Sequence, residues 1–267
     1  METSASVGHL VRSWRELRHM SQLALASEAE ISQKHLSFIE SGRARPSRDM
    51  VLHLAEHLDV PLRERNALLL GAGFAPAYVE RDLDSPELAG ARAAIGQVLK
   101  AHEPFPALTV DRHWTMLSAN EAVAPLLAGI DTHLLVPPVN IMRLSLHPRG
   151  LAPLIVNLDE WRAHLMERLG RQFRLTRDPV IGALIGEMEQ LAPRGWRGGP
   201  AGERAAPAIA VPLKLRTPLG VLSFISTTTV FGTASEITLS ELSLEAFYPA
   251  DAGTSDLMRR MAAARTP

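Results

Sequence analysis

From Val7 to Leu70 apolar residues recur at intervals of three and four, the spacing of short amphipathic helices. Val7 to Arg18 forms the first. Ser21 opens the second, its hydroxyl placed to accept a backbone N–H, and Leu25, Ala26 and Ala29 form the inner face. Ala26 is small enough to let the next helix approach closely. In "SQKHLSFIESGRARPS", Ser32 to Ser47, Ser32 caps a third helix. Its Leu36 and Ile39 point inward with the flank of Glu40, while Gln33, Lys34, Ser37 and Phe38 cover the opposite arc. Gly42 ends it in the left-handed conformation. Pro46 and Ser47 start a fourth helix with Val51, Leu54, Ala55 and Leu58 inward, and Pro61 opens a fifth that runs through Leu70.

The pattern changes after that. "APAYVERDLDSPE", Ala75 to Glu87, mixes prolines and charges and predicts a linker. A helix with Leu88, Ala91, Ile95, Val98 and Leu99 on one face follows. "PFPALTVDRHWTMLSANEAVAPLL" predicts a strand, a tight turn at Asp111–Arg112, a second strand, and a helix beginning after Asn120, which caps it. "NIMRLSLHP" comes after a loop with Pro137 and Pro138. "LDEWRAHLMERLGRQFRL" is a helix with Trp161, Leu165 and Leu169 on one face, and Pro179 to Leu191 is another. The Gly/Pro/Arg-rich stretch from Ala192 to Pro207 predicts a mobile loop. Two strands then flank the turn Thr217-Pro218-Leu219-Gly220, and "SELSLEAFYP" closes as a strand.

The predicted boundaries are residues 1–74 for an all-α helix-turn-helix domain, 75–86 for a linker, and 87–267 for an α+β PAS-like domain. The order of two strands, a block of helices and three antiparallel strands places helices across one face of an antiparallel sheet, with an apolar cavity between.

Composition narrows the function classes. The chain has 267 residues, 46% of them hydrophobic, a formal net charge of -1 and a pI near 6.8, which suits one or two globular domains with a real core. Zero cysteines exclude a disulfide framework and a thiolate zinc site, and fit a reducing cytosol. Met1 to Leu17 lacks the apolar region of a signal peptide. No apolar run reaches the roughly 18 residues needed to span a bilayer. A cytoplasmic protein with no membrane segment is expected. His53 and His57 are four apart, but H-L-A-E-H is not H-E-x-x-H, and two exposed histidines on the fourth helix are the simpler reading. "GAGFAP" ends a helix where a phosphate loop would open one. With no P-loop and no G-x-S-x-G, neither an enzyme, a metal nor a cofactor is expected.

Five short helices with a tight turn between the second and third is the order of a helix-turn-helix DNA reader, whose third helix enters the major groove. Gln33 has the donor and acceptor for adenine, Lys34 reaches guanine or phosphate, and Phe38 suits a thymine methyl, with Ser32 and Ser37 along the same edge. Arg43 and Arg45, past the helix end, are placed for phosphates. Acids and bases nearly balance over the first 73 residues, so base contacts and dimer contacts matter more here than counterion release.

"MSQLALASEAEISQKHLSFIESGRARPS" resembles the XRE/Cro-type helix-turn-helix. The resemblance implies that Gln22 contacts a phosphate and that Arg15 lies against Glu40, a carboxylate at the edge of the buried arc that needs a cationic partner. The sequence departs from the family where the turn usually holds glycine and this chain has Glu30. A non-glycine residue in a left-handed turn costs roughly 1 kcal/mol or more.

"PLRERNALLLGAGFAP", "WTMLSANEAV", "NIMRLSLHPRGL" and "STTTVFGTASEITLSELSLEAFYPAD" resemble the MmyB-like ligand-binding domain found behind XRE-type readers. That resemblance implies a PAS-like sensor for a small, fatty-acid-like molecule. Trp114, Met116, Met142, Trp161 and Phe224 are then pocket-lining or plain core. Arg143 meets a ligand carboxylate or an internal acid such as Asp159. The resulting expectation is a transcription regulator, a homodimer on double-stranded operator DNA, whose affinity a small apolar ligand modulates. The alternative is a C-terminal domain that serves only dimerisation or protein interaction.

Overall fold

The structure, a computed structural model, describes residues 6–192, 211–231 and 236–264. The chain divides into two compact units, Met1–Arg81 with Thr233–Ser240, and Asp82–Gly232 with Glu241–Pro267.

The first unit holds α1 (Val7–Leu17), α2 (Gln22–Glu28), α3 (Gln33–Glu40), α4 (Arg48–His57) and α5 (Leu62–Gly71). Serine hydroxyls start the middle three. Ser21 accepts from Ala24 N, Ser32 from His35 N and Ser47 from Met50 N, at 3.0, 3.1 and 3.2 Å. Val11, Leu25, Leu36, Ile39, Leu54 and Leu58 are completely buried together. Gly8 lets α1 meet α3 closely: a Cβ there would lie 2.3 Å from the Ile39 carbonyl oxygen. Glu30 adopts φ +51°, so the turn keeps its left-handed geometry without glycine.

The segment read as a linker is held on α5 as far as Tyr78. The Asn66 amide accepts from the backbone N–H groups of Ala77 and Tyr78 and donates to the Tyr78 carbonyl, doing for that segment what a strand partner would. A distant piece of chain completes this unit. Glu236, buried, accepts from Arg81 N (2.7 Å) and caps the helical turn Ile237–Ser240 through Leu239 N. Ile237 N donates to the Val79 carbonyl, and the Ile237 side chain is buried.

The second unit is built on β1 (Ala107–Val110), β2 (Met116–Ala119), β3 (Leu213–Thr217), β4 (Gly220–Val230) and β5 (Ser243–Pro249). They form one antiparallel sheet in the order β2-β1-β5-β4-β3. Its helices are α6 (Ala89–Ala101), α7 (Ile141–Leu146), α8 (Leu158–Thr176) and α9 (Pro179–Gln190). Counting the turn Ile237–Ser240 as α10, the last is α11 (Ala252–Ala263). One sheet face, with Leu108, Leu222 and Phe224, packs against Met142, Trp161, Leu165 and Leu169 of α7 and α8. The opposite face is covered too, by Ile95 and Leu99 of α6 over Ala107, Leu244 and Ala246, so helices lie on both sides and not on one.

Other local expectations change as well. Asn120 does not cap a helix. Its buried amide accepts from Ala107 N and donates to the Leu99 and Phe105 carbonyls, and only a 3-10 turn, Ala124–Leu127, follows. Asn140 is the capping asparagine, accepting from Met142 N and Arg143 N at the start of α7. Helix α11, capped by Asp251, was not expected. All but the first residue of the Ala192–Pro207 stretch lies outside the described residues.

Candidate DNA interface and ligand cavity

Leu36 and Ile39 anchor α3 in the core, and this fixes which residues face outward. Gln33, Lys34 and His35 are exposed, as are Ser32, Arg43 and Arg45, while Ser37 and Phe38 are half-buried. The Phe38 ring carries two cations, Lys34 Nζ at 5.7 Å and Arg43 Cζ at 5.8 Å from its centroid. Phe38 therefore orders the two positive groups around it. His35, which sequence reasoning passed over, shares the exposed arc.

Beneath this surface Glu40 accepts from Arg15 Nε (2.7 Å), Arg15 Nη2 (2.9 Å) and Gln22 Nε2 (2.8 Å). The same bonds hold the Gln22 amide, the group the resemblance assigned to a phosphate, against α3. His53 and His57 are half-buried, and the His53 ring meets the Ala29 carbonyl at 2.8 Å. Their expected exposure gives way to a structural contact with the turn before α3.

The second unit contains an apolar, partly open cavity of about 90 Å³ between the sheet and α7 and α8. Trp114, Met116, Met142, Trp161 and Phe224 all line it. Arg143 does not. Its guanidinium faces outward in a two-pronged pair with Glu187, Nε–Oε1 at 2.7 Å and Nη2–Oε2 at 2.8 Å, and Asp159 is not its partner. An arginine at the third position of α7 points away from the buried side taken by Met142, Leu144 and Leu146.

Among the described residues, the polar side chains on the cavity wall are Ser145, Arg168 and Glu245. Arg168 Nη2 donates to Glu245 Oε1 (2.8 Å) and Thr228 Oγ1 (2.7 Å), and Nη1 to Glu245 Oε2 (3.1 Å). The guanidinium also lies 4.6 Å from the Trp114 ring centroid. Trp114 itself has φ +67°, a costly conformation for a bulky residue. Its backbone is fixed by the bond from Ile141 N to its carbonyl, and its indole N–H donates to Gln172 Oε1.

Comparison with known families reaches both units. The model described as the MmyB-like transcription regulator ligand binding domain matches residues 91–261. The chain belongs to this MmyB-like family. A helix-turn-helix model matches residues 11–65, so this MmyB-like protein is a DNA-binding transcription regulator with a ligand-binding domain. No curated protein matches the chain. Among its described residues no helix is long and apolar enough to cross a membrane, and no three His, Cys, Asp or Glu groups are placed to hold a metal ion.

Sequence reasoning missed Arg168 and Glu245 in this MmyB-like domain, although a signal existed. Arg168 falls on the α8 arc of Trp161, Leu165 and Leu169, and Glu245 alternates in phase with Phe247 on β5. Opposite charges at two inward positions imply an internal pair.

Proposed function

We propose that this MmyB-like regulator reads operator DNA as a homodimer, with α3 in the major groove, and changes its affinity when a small, chain-like apolar molecule enters the cavity. What carries this reading is the apolar cavity within a domain of the ligand-binding family. The solvent-facing side chains of α3 support the DNA half of it. Gln33 and Lys34 read bases, Phe38 steers Lys34 and Arg43, and Arg43 and Arg45 neutralise phosphates. Two-fold symmetry gives half-sites about one helical turn apart. A cytoplasmic setting fits both activities.

The cavity size bears on the switch. A void of about 150 Å³ takes benzene, so the space of about 90 Å³ takes only a few carbon atoms as it stands. A chain enters by moving flexible wall residues such as Met116, Met142 and Leu151. Filled and empty forms then differ, the condition under which a ligand shifts DNA affinity.

Selection from random duplexes supplies the preferred site, and titration on it tests the DNA half. Gln33→Ala should weaken binding by roughly 1 to 3 kcal/mol and relax one base pair, whereas Arg43→Ala should weaken all sequences alike. Unchanged affinity and preference in Gln33→Ala would remove α3 from the groove. For the ligand half, a ligand at about 100 times its Kd adds about 2.7 kcal/mol of stability, and Met142→Trp should abolish both that gain and the DNA response. Operator affinity that stays constant across every stabilising compound favours the dimerisation-only alternative.

A further inference from the structure

We infer that cavity occupancy reaches the DNA-binding unit through α10, the turn Ile237–Ser240, and that the bonds holding Arg81 to it are the coupling joint. The inference rests on the proposed response of operator affinity to a cavity ligand, and names the element that carries that response.

The strands on either side of α10 in the chain both wall the cavity. Phe224 comes from β4, and Glu245 and Phe247 come from β5. The two strands pair from Phe224 opposite Pro249 to Val230 opposite Ser243. An inserted chain that pushes this wall outward therefore shifts the strand ends to which α10 is joined. A second route from the wall converges on the same place. The Trp114 indole donates to Gln172 Oε1 at 2.8 Å, the Gln172 amide donates to the Arg112 carbonyl at 2.6 Å, and the Arg112 guanidinium lies 3.8 Å from Glu241 Oε1. Glu241 is the first residue after α10. Leu242, fully buried in one cluster with Ile95, Leu99 and Ala107, then fixes the chain as it enters β5.

α10 itself is part of the DNA-binding unit. Glu236 accepts from Arg81 N and Leu239 N, Thr238 Oγ1 donates to the Arg81 carbonyl, and Ile237 N donates to the Val79 carbonyl. Arg81 is thus held at both its N–H and its C=O. The Ile237 side chain is buried, and α10 packs against α5. From there α5 packs on α1 and α1 on α3, the last contact being the tight one at Gly8. Close-packed helices move as bodies and do not absorb a displacement gradually. A shift at α10 consequently reaches α3 through α5 and α1, and gives the filled and empty forms the unequal DNA affinities that a ligand switch requires.

The test uses the full-length protein with decan-1-ol and decanoic acid as probes, thermal shift reading binding and titration of the selected operator reading DNA affinity. In the wild type a bound probe should change operator affinity about tenfold. The protection of the Arg81, Ile237 and Leu239 amides against hydrogen exchange should change with it. Glu236→Ala removes the acceptor shared by Arg81 and Leu239. It should keep the thermal shift and, without probe, an operator affinity within about threefold of wild type, while the probe-induced change falls below about twofold. Thr238→Val removes one bond to Arg81 at nearly constant shape, and should weaken the response even if Glu236→Ala fails to fold. A full response in both variants, or unchanged protection of the three amides while wild-type operator affinity changes, would overturn the inference and leave the ligand reading intact. If neither probe changes wild-type operator affinity, the ligand switch itself fails, and this inference with it.

Discussion

Replacing Arg15 or Glu40 with alanine should destabilise the first unit by amounts that their surroundings rank in advance. The Glu40 side chain is 3% exposed and that of Arg15 9%. Arg15→Ala removes two charge-assisted bonds, each worth about 1.5 to 3 kcal/mol, and leaves a buried carboxylate with only the Gln22 amide. The expected loss is about 3 to 5 kcal/mol. Glu40→Ala is milder, because the guanidinium keeps the Met20 carbonyl at 2.8 Å and Glu16 at 3.9 Å; about 2 to 3 kcal/mol should be lost. The double variant strands neither charge, so its loss should be about 2 to 3 kcal/mol smaller than the sum of the single losses. Native-state hydrogen exchange of the α1 and α3 amides isolates this unit from unfolding elsewhere. Additivity within about 0.5 kcal/mol, or Glu40→Ala proving the more damaging single change, would refute the reasoning.

Three further outcomes are expected. Gly8→Ala forces a methyl to 2.3 Å from the Ile39 carbonyl, so α1 and α3 must part, and DNA binding should fall together with the protection of α1 amides against exchange. Asn120→Ala orphans the Ala107 N–H and the Phe105 carbonyl and leaves the Leu99 carbonyl with only the His102 N–H, and should cost about 2 kcal/mol or more in urea denaturation. Burial, and then the nearby Arg168 and Arg171, outweigh Glu167 and Glu245 and hold His164 below its ordinary pKa of 6.5. The folded form therefore takes up the proton less readily than the unfolded chain. The stability that His164 secures is complete above 6.5 and declines as pH falls from there through the folded value. His164→Gln should flatten that slope, measured as the urea midpoint at several pH values.

The DNA-binding unit was legible in the sequence because its signals are local. Ser21, Ser32, Ser47 and Gly42 each act within four residues of themselves, and the periodic spacing of Leu36 and Ile39 fixes the outward arc. The apolar wall of the cavity was also legible, since Trp161 and Phe224 sit at helix and strand spacings that turn them inward. Features made by distant pairings were not. Glu245 lies 77 residues from Arg168, Asn120 gathers three backbone groups from both sides of a loop, and Arg143 turns outward through the orientation of a six-residue helix. In each case the decisive partner is set by sheet register or helix rotation, and nothing adjacent in the chain announces it.

Glu236 and Ile237 have a practical consequence for anyone cutting this gene. The chain leaves the DNA-binding unit after Arg81, returns to it between β4 and β5, and leaves it again after Ser240. A fragment ending at residue 81 would strand the Arg81 amide that Glu236 satisfies and uncover the surface that Ile237 buries. Neither half is therefore a contiguous cassette. Grafting this sensor onto a foreign reader, or this reader onto a foreign sensor, requires that the loop between β4 and β5 be exchanged along with the reader it belongs to.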